Sequence, residues 1–417
     1  MLDACIVMRP RFSGGSGVAE EIRRKGQPRG ILAYAIVATT ATTLPVFLLG
    51  ALEPVLRGAL GLRPGTEGLA VGGFFLAGVV GAVWAGRLLH RVRASVLVRA
   101  GAAASAGASG AVAGLVHGAV GLAGALVVAG AANGVLQPGV NELLARLVRP
   151  GRRGWAFGVK QAAIPCATLI AGLALPLVAL RSSWRFAYGG AALLALAMAL
   201  LGAPGVGRRG EVPHAATPLH VPGVLLVVSA AMALGAGAAN ALGAFGVASL
   251  VHDRVQPATA GYVAALGSFA GLGTRLAMGW VADRHLARPL ATVGLMLAVG
   301  AVGYAALATG LRALLLAGVV LGYAGGWGWN GLVNFAVSQL WPDHPGQATA
   351  LVQAGAFAGS VVGPIGFGAL VESAGFHAAW VIDGLAALGA AAGMLGAASV
   401  LYHHGRGSRR RLGRAGA

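Results

Sequence analysis

Charge is what this chain has least of. Only 10% of its 417 residues are charged, against roughly a quarter in an ordinary soluble domain. The shortage is one-sided, with 12 acids against 31 lysines and arginines. No acidic pair of the D-D-x-x-D kind is present, which argues against a metal-dependent lipid or prenyl transferase. No G-x-x-x-x-G-K-[ST] loop occurs either, so a nucleotide-driven pump is not expected. Cysteine is nearly absent: Cys5 and Cys166 give no disulfide framework. Polar stretches long enough for a signalling domain are missing, which argues against a sensor. No small-residue cleavage site follows the first apolar segment, so no removable leader is expected.

What is abundant is apolar sequence, 57% of the chain, together with 70 glycines. It is arranged in repeated runs of about 20 residues, the length that crosses ~30 Å of hydrocarbon. The runs are continuous rather than alternating, which excludes a membrane β-barrel. Small residues in such runs let helices pack closely in lipid. Net charge is +19, but the cations sit in short connections between the runs. A nucleic-acid partner is therefore not expected; the partner surface is the lipid bilayer.

The pattern predicts an all-α integral membrane protein of twelve transmembrane helices. Their spans are 30–52, 67–89, 95–117, 119–145, 154–180, 184–204, 221–250, 258–282, 288–309, 312–340, 347–371 and 377–402. Orientation follows from Lys and Arg alone. Placing both termini in the cytoplasm puts 24 of these cations inside and six outside, namely Arg57, Arg63, Arg181, Arg185, Arg254 and Arg312, with Arg275 left within a span. The longest polar interruption carries Arg208, Arg209 and Glu211. The expected organisation is a cytoplasmic tail 1–29, a six-helix bundle 30–204, a cytoplasmic linker 205–220, a second bundle 221–402 and a basic cytoplasmic tail 403–417. The setting is the cell (inner) membrane.

The two halves repeat. Shifted by 192 residues, Pro150 meets Pro342, Gly154 meets Gly346, Gln161 meets Gln353 and Ala162 meets Ala354. Shifted by 193, Gly78 meets Gly271, Gly86 meets Gly279 and Arg91 meets Arg284. Within the second half, the stretch from Gly261 to Arg288 opens as a long apolar run whose one interior charge is Arg275 and which ends Gly279-Trp280-Val281-Ala282-Asp283-Arg284. This G-x-x-x-D-R pattern resembles the loop signature of the major facilitator superfamily (MFS), in the copy that follows the eighth helix. The resemblance, with the parallel repeat of two six-helix halves, covers nearly the whole chain after residue 29. It implies the MFS fold of two pseudo-symmetric six-helix bundles and a secondary transporter working by alternating access.

The resemblance also places functional residues. Helices 1, 4, 7 and 10 of that fold line the central cavity, so Asn133, Asn240 and Asn330 are candidate polar ligands, with Trp327 and Trp329 as apolar walls and Tyr34 as a further candidate. Gln161 and Gln353 occupy matching places in spans five and eleven and are candidate substrate contacts or interhelical bonds. Arg275 lies about 12 Å from the end of its span, at ~1.5 Å per residue, near mid-membrane. A lone intramembrane cation faces protein or a wet cavity. It is read either as a bidentate grip on a substrate carboxylate or as a structural arginine bonded to backbone carbonyls. Lys160 is expected to snorkel to the interface. Asp283 and Arg284, with Gly279 and Arg91 of the two loop copies, are the candidate gating residues, Asp283 bracing the helix start at Gly154-Trp155. His90 stands where the first copy of the motif has an aspartate. The small-residue track from Gly359 to Gly366 is expected to pack closely around a kink at Pro364.

The function expected is transport of a small solute, an organic anion such as a carboxylate, with export of a hydrophobic or cationic compound as the alternative. A coupling proton or counter-solute is an expected further partner. Among the acids, Glu53 and Glu142 lie near span ends and Asp383 well inside span twelve. No enzyme activity, metal or cofactor is expected, and a monomer is the expected working unit.

Overall fold

A computed structural model describes residues 30–149, 156, 159–203, 221–285, 288–341 and 344–415, with side chains through Leu401 apart from 283–285. The expected linker, the first tail and the Gly154-Trp155 helix start lie outside the described residues. So do the side chains of Asp283 and Arg284.

Each apolar run becomes a helix because lipid offers no hydrogen-bond partner, so the backbone must satisfy itself within the segment. In chain order the helices are α1 (Ile31–Leu60), α2 (Pro64–Leu88), α3 (Ala94–Gly114), α4 (Ala119–Leu147), α5 (Ala163–Ala174), α6 (Trp184–Leu201), α7 (Gly223–His252), α8 (Pro257–His285) and α9 (Pro289–Ala308). A tenth span, α10, comes in two pieces, Arg312–Ala324 and Asn330–Leu340. The last stretch, Pro345–Ala415, is divided at Gly375, whose φ of 84° only glycine adopts freely. It gives α11 over 345–374 and α12 from 376 onward, and the helical backbone runs past the expected end at 402. The repeat is visible in the elements: α2 and α8 begin at Pro64 and Pro257, α4 and α10 at Ala119 and Arg312, both pairs 193 residues apart.

Two departures from the expected spans matter for the site. The run 312–340 is not one helix: residues 325–329, Gly-Gly-Trp-Gly-Trp, form turns between its two pieces. Three glycines in four positions lower helix propensity by about 1 kcal/mol each, and the break follows. α5 passes into one turn of π-helix, Leu175–Ala179, containing Pro176. Wider turns of this kind recur at functional positions.

The apolar core is forked. At the end carrying the α1–α2, α5–α6, α7–α8 and α11–α12 turns, one continuous cluster joins the halves, from Leu44, Phe47 and Leu175 to Phe245, Leu315 and Trp380. Toward the other end it divides. One cluster holds only first-half residues, such as Ala38, Leu136 and Met198. Another holds only second-half residues, such as Met232, Val333 and Val352. The glycine contacts across the halves agree, pairing Gly50 with Ala244, Gly68 with Pro364 and Gly172 with Ala265. At Gly68 a β-carbon would overlap the Pro364 carbonyl oxygen, so α2 and α11 touch here backbone to backbone.

Candidate functional site

Where the core divides, polar side chains gather on α1, α4 and the turn leading into α5. Asn133 is the centre. Its Oδ1 accepts from Thr42 Oγ1 at 2.9 Å, from Gln137 Nε2 at 3.0 Å and more weakly from Thr43 Oγ1 at 3.4 Å. Gln137 Oε1 in turn accepts from Lys160 Nζ, which also donates to Asn141 Oδ1 at 2.9 Å. The chain of contacts therefore runs from α1 across α4 to a cation. Thr40 Oγ1 adds a bond to the Ala163 carbonyl at 3.2 Å, tying α1 to α5. Tyr34 hydroxyl bonds the Met198 carbonyl at 3.2 Å, tying α1 to α6.

Lys160 does not snorkel. It is 5% exposed and points inward to the Gln137 and Asn141 amide oxygens, which α4 offers on one helical face. Gln137 and Asn141 are partners that sequence reasoning did not assign. The signal was present: 133, 137 and 141 fall at four-residue spacing, which stacks side chains on one face of a helix.

Arg275, on α8, joins the halves. Its Nη1 donates to the Gln161 carbonyl at 2.7 Å, while Nη2 and Nε donate to the Trp327 carbonyl at 2.9 and 3.3 Å. Both acceptors exist because the backbone is irregular there. Trp327 lies in the break of α10, and Gln161 in the turn before α5; neither carbonyl is committed to a helical ladder. The break could be anticipated from the glycines at 325, 326 and 328, but not the direction in which its carbonyls point. The Trp327 ring closes the same junction, edge-on to Phe47 of the other half at 5.5 Å.

The second half supplies amides with spare capacity. Asn330 Oδ1, Asn334 Oδ1 and Gln353 Oε1 are buried without a hydrogen-bond partner. Asn240 is engaged within its own half, its Nδ2 donating to the Ala236 carbonyl at 2.9 Å and to Ser360 Oγ at 3.0 Å. It holds α7 to α11. Trp329 is not a cavity wall: it is fully buried in the second-half core, its indole N–H bonded to the Gly326 carbonyl. Of the gating candidates, Gly279 faces open space on α8 and Arg91 is exposed after α2. The backbone of Asp283 and Arg284 belongs to the last turn of α8.

A sequence model of the family described as Major Facilitator Superfamily matches residues 31–251 and again residues 224–414. The chain belongs to the Major Facilitator Superfamily. The two matches to this superfamily begin 193 residues apart, at 31 and 224, the same offset that the sequence repeat and the helix starts give. Solved structures of MFS transporters share the fold. A bacterial homologue of the human lysosomal transporter Spinster, in an inward-facing and unoccupied conformation, is 16% identical with a TM-score of 0.64, over 92% of this chain and 98% of that one. A D-xylose-proton symporter is 15% identical with a TM-score of 0.69, over 88% and 96%. The xylose transporter XylE from E. coli, in a partially occluded inward-open conformation, is 13% identical with a TM-score of 0.68, over 87% and 97%. No curated protein sequence gives a significant match. The chain is thus a multi-pass membrane transporter.

Proposed function

We propose that this transporter moves a small organic anion, a carboxylate, by alternating access, with Arg275 as the residue that reads the charge. The observation that carries the proposal is that, among the described residues, Lys160 and Arg275 bond only uncharged oxygens. The ion pairs among the described residues lie elsewhere, at Glu53–Arg57, Glu142–Arg146 and Asp253–His377. Two uncompensated cations make the region between the halves attractive to an anion and hostile to a cation. Arg275 uses three bonds of a guanidinium that carries five N–H groups. A carboxylate entering there gains two parallel charge-assisted bonds.

The same geometry supports a coupling of binding to motion. The Arg275–Gln161 bond ties α8 to the approach to α5. A carboxylate that takes the guanidinium weakens that tie and lets the bundles rock about the midplane. Lys160 contributes positive potential from the first half. Asn133, Asn330, Gln161 and Gln353 supply amides for the solute's other polar groups, while Asn240 secures the wall behind them. With the expected orientation, in a cell membrane with cytoplasmic termini, the shared core lies outside and the forked end faces the cytoplasm, an inward-facing state. Asp283 and Arg284 are proposed to bias the opposite, cytoplasmic closure.

The test is a thermal-shift screen of purified protein, wild type beside Arg275→Gln, with small carboxylates, other anions, sugars, amines and hydrophobic cations. A ligand of the folded state raises the melting temperature by mass action. Carboxylates stabilising wild type and not the variant support the proposal. Cations or neutral solutes stabilising both equally contradict it and favour export of a hydrophobic or cationic compound.

A further inference from the structure

Asp383 is a second feature that the anion reading does not use. It lies on α12, eight residues past the break at Gly375, so about 12 Å from that helix end at ~1.5 Å per residue. The residue is 8% exposed. Its Oδ2 is buried without a hydrogen-bond partner. A carboxylate at this depth in a membrane calls for a partner, and no lysine, arginine or histidine is among the described residues that line the cavity it faces.

Beside it is a cavity of about 380 Å³ between α7, α11 and α12. Its walls are small: Gly237, Gly359, Gly363 and Ala386 leave the space, and Asp383 is the one ionisable side chain lining it. The glycines are required by contact as well as by space, since a β-carbon at Gly359 would overlap the Ala233 carbonyl oxygen. Leu234, Val362 and Ile382 stand at the rim and are 44%, 66% and 49% exposed. Exposed apolar residues on the outside of a helical bundle are the surface that lipid covers, so the mouth opens sideways into the bilayer.

We propose that this lateral cavity binds a single-chain lipophilic amine, its ammonium on Asp383 and its hydrocarbon along the glycine-alanine wall. Charge complementarity selects an amine over an acid or alcohol of the same length. Size selects a small amphiphile: the volume is at the low end of the ~300–1,000 Å³ typical of small-molecule sites, too small for a two-chain lipid. The site is separate from the region of Arg275 and Lys160, which an ammonium would avoid. It therefore does not rest on the carboxylate proposal.

The experiment is titration calorimetry of the purified full-length transporter in detergent with n-octylamine, using octanoate and octanol as chain-matched controls. Wild type is expected to bind octylamine saturably at one site, with neither control competing. Asp383→Asn is expected to weaken it at least tenfold. Ala386→Phe, which fills the cavity while keeping the carboxylate, is expected to do the same. Arg275→Gln is expected to leave octylamine binding unchanged, which separates this outcome from that of the anion screen. The proposal is overturned if wild type shows no saturable binding, if Asp383→Asn binds as wild type does, if octanol competes equally, or if phosphatidylethanolamine in mixed micelles displaces the amine from its site.

Discussion

A guanidinium held by two backbone carbonyls is firmly placed but not neutralised. That distinction underlies the role proposed for Arg275. Carbonyl bonds orient the side chain, and its full charge stays available to an incoming anion. Hydrogen bonds to charged groups contribute about 1.5–3 kcal/mol, so Arg275→Gln is expected to weaken carboxylate binding by about 10- to 100-fold. Arg275→Lys keeps the charge and loses the planar fork; an intermediate loss is the expected result, both variants being measured by calorimetric titration with a small carboxylate. Asn133 makes a different prediction. Its one oxygen serves two threonines and Gln137, and Gln137 in turn positions Lys160. Asn133→Leu leaves those donors and Lys160 without their alignment, and a destabilisation of about 0.6–1.7 kcal/mol is expected from interhelical bonds of this kind in membrane proteins. Denaturation monitored by tryptophan fluorescence checks it. Arg275 was legible in the sequence as the lone charge of its run, and both of its alternative roles could be written down. Its partners were not legible, because they are backbone carbonyls and any residue type supplies those.

The helices themselves were largely legible. Apolar run length placed twelve spans, most of their ends within a few residues of the observed ones, since hydrocarbon thickness leaves little choice; α1 runs on to Leu60 rather than 52, α5 starts at Ala163 rather than 154, and the α12 backbone continues past 402. What run length could not show is where a span ceases to be helical. α10 breaks at 325–329, and α5 widens at Leu175–Ala179; composition scores both segments as apolar. Lys160 was misjudged for a related reason: hydropathy gives depth, not which neighbouring helix offers acceptors. At the element scale the α2–α11 contact yields a prediction. Gly68 meets the Pro364 carbonyl directly, so Gly68→Val separates these helices where the halves share their core. The variant is expected to shift the transporter toward the state open at that end. Labelling of a single cysteine introduced at Val71, buried in the shared core, is expected to rise several-fold over the same cysteine in a Gly68 background. Unchanged labelling would show that the contact does not hold the end closed.

Across the whole molecule, the organising fact is a core that is continuous at one end and divided at the other. A duplicated sequence builds two similar bundles; a shared apolar cluster then hinges them at one face. At the divided end each bundle has its own core, so the bundles can move apart there without either losing its packing. The cations Lys160 and Arg275 stand near where the fork begins. Under the proposal, a solute bound there is felt by both halves at once. The twelve apolar runs already pointed to a polytopic membrane protein, and the repeat with the G-x-x-x-D-R resemblance pointed to a transporter. The class of solute rests on two residues, and the account is tested most directly through them. Counterflow of a radiolabelled small carboxylate into proteoliposomes reports exchange without needing a coupling gradient. The account predicts saturable counterflow by wild type, abolished in Arg275→Gln and reduced in Lys160→Met. Carboxylate counterflow at the wild-type rate in Arg275→Gln would contradict it.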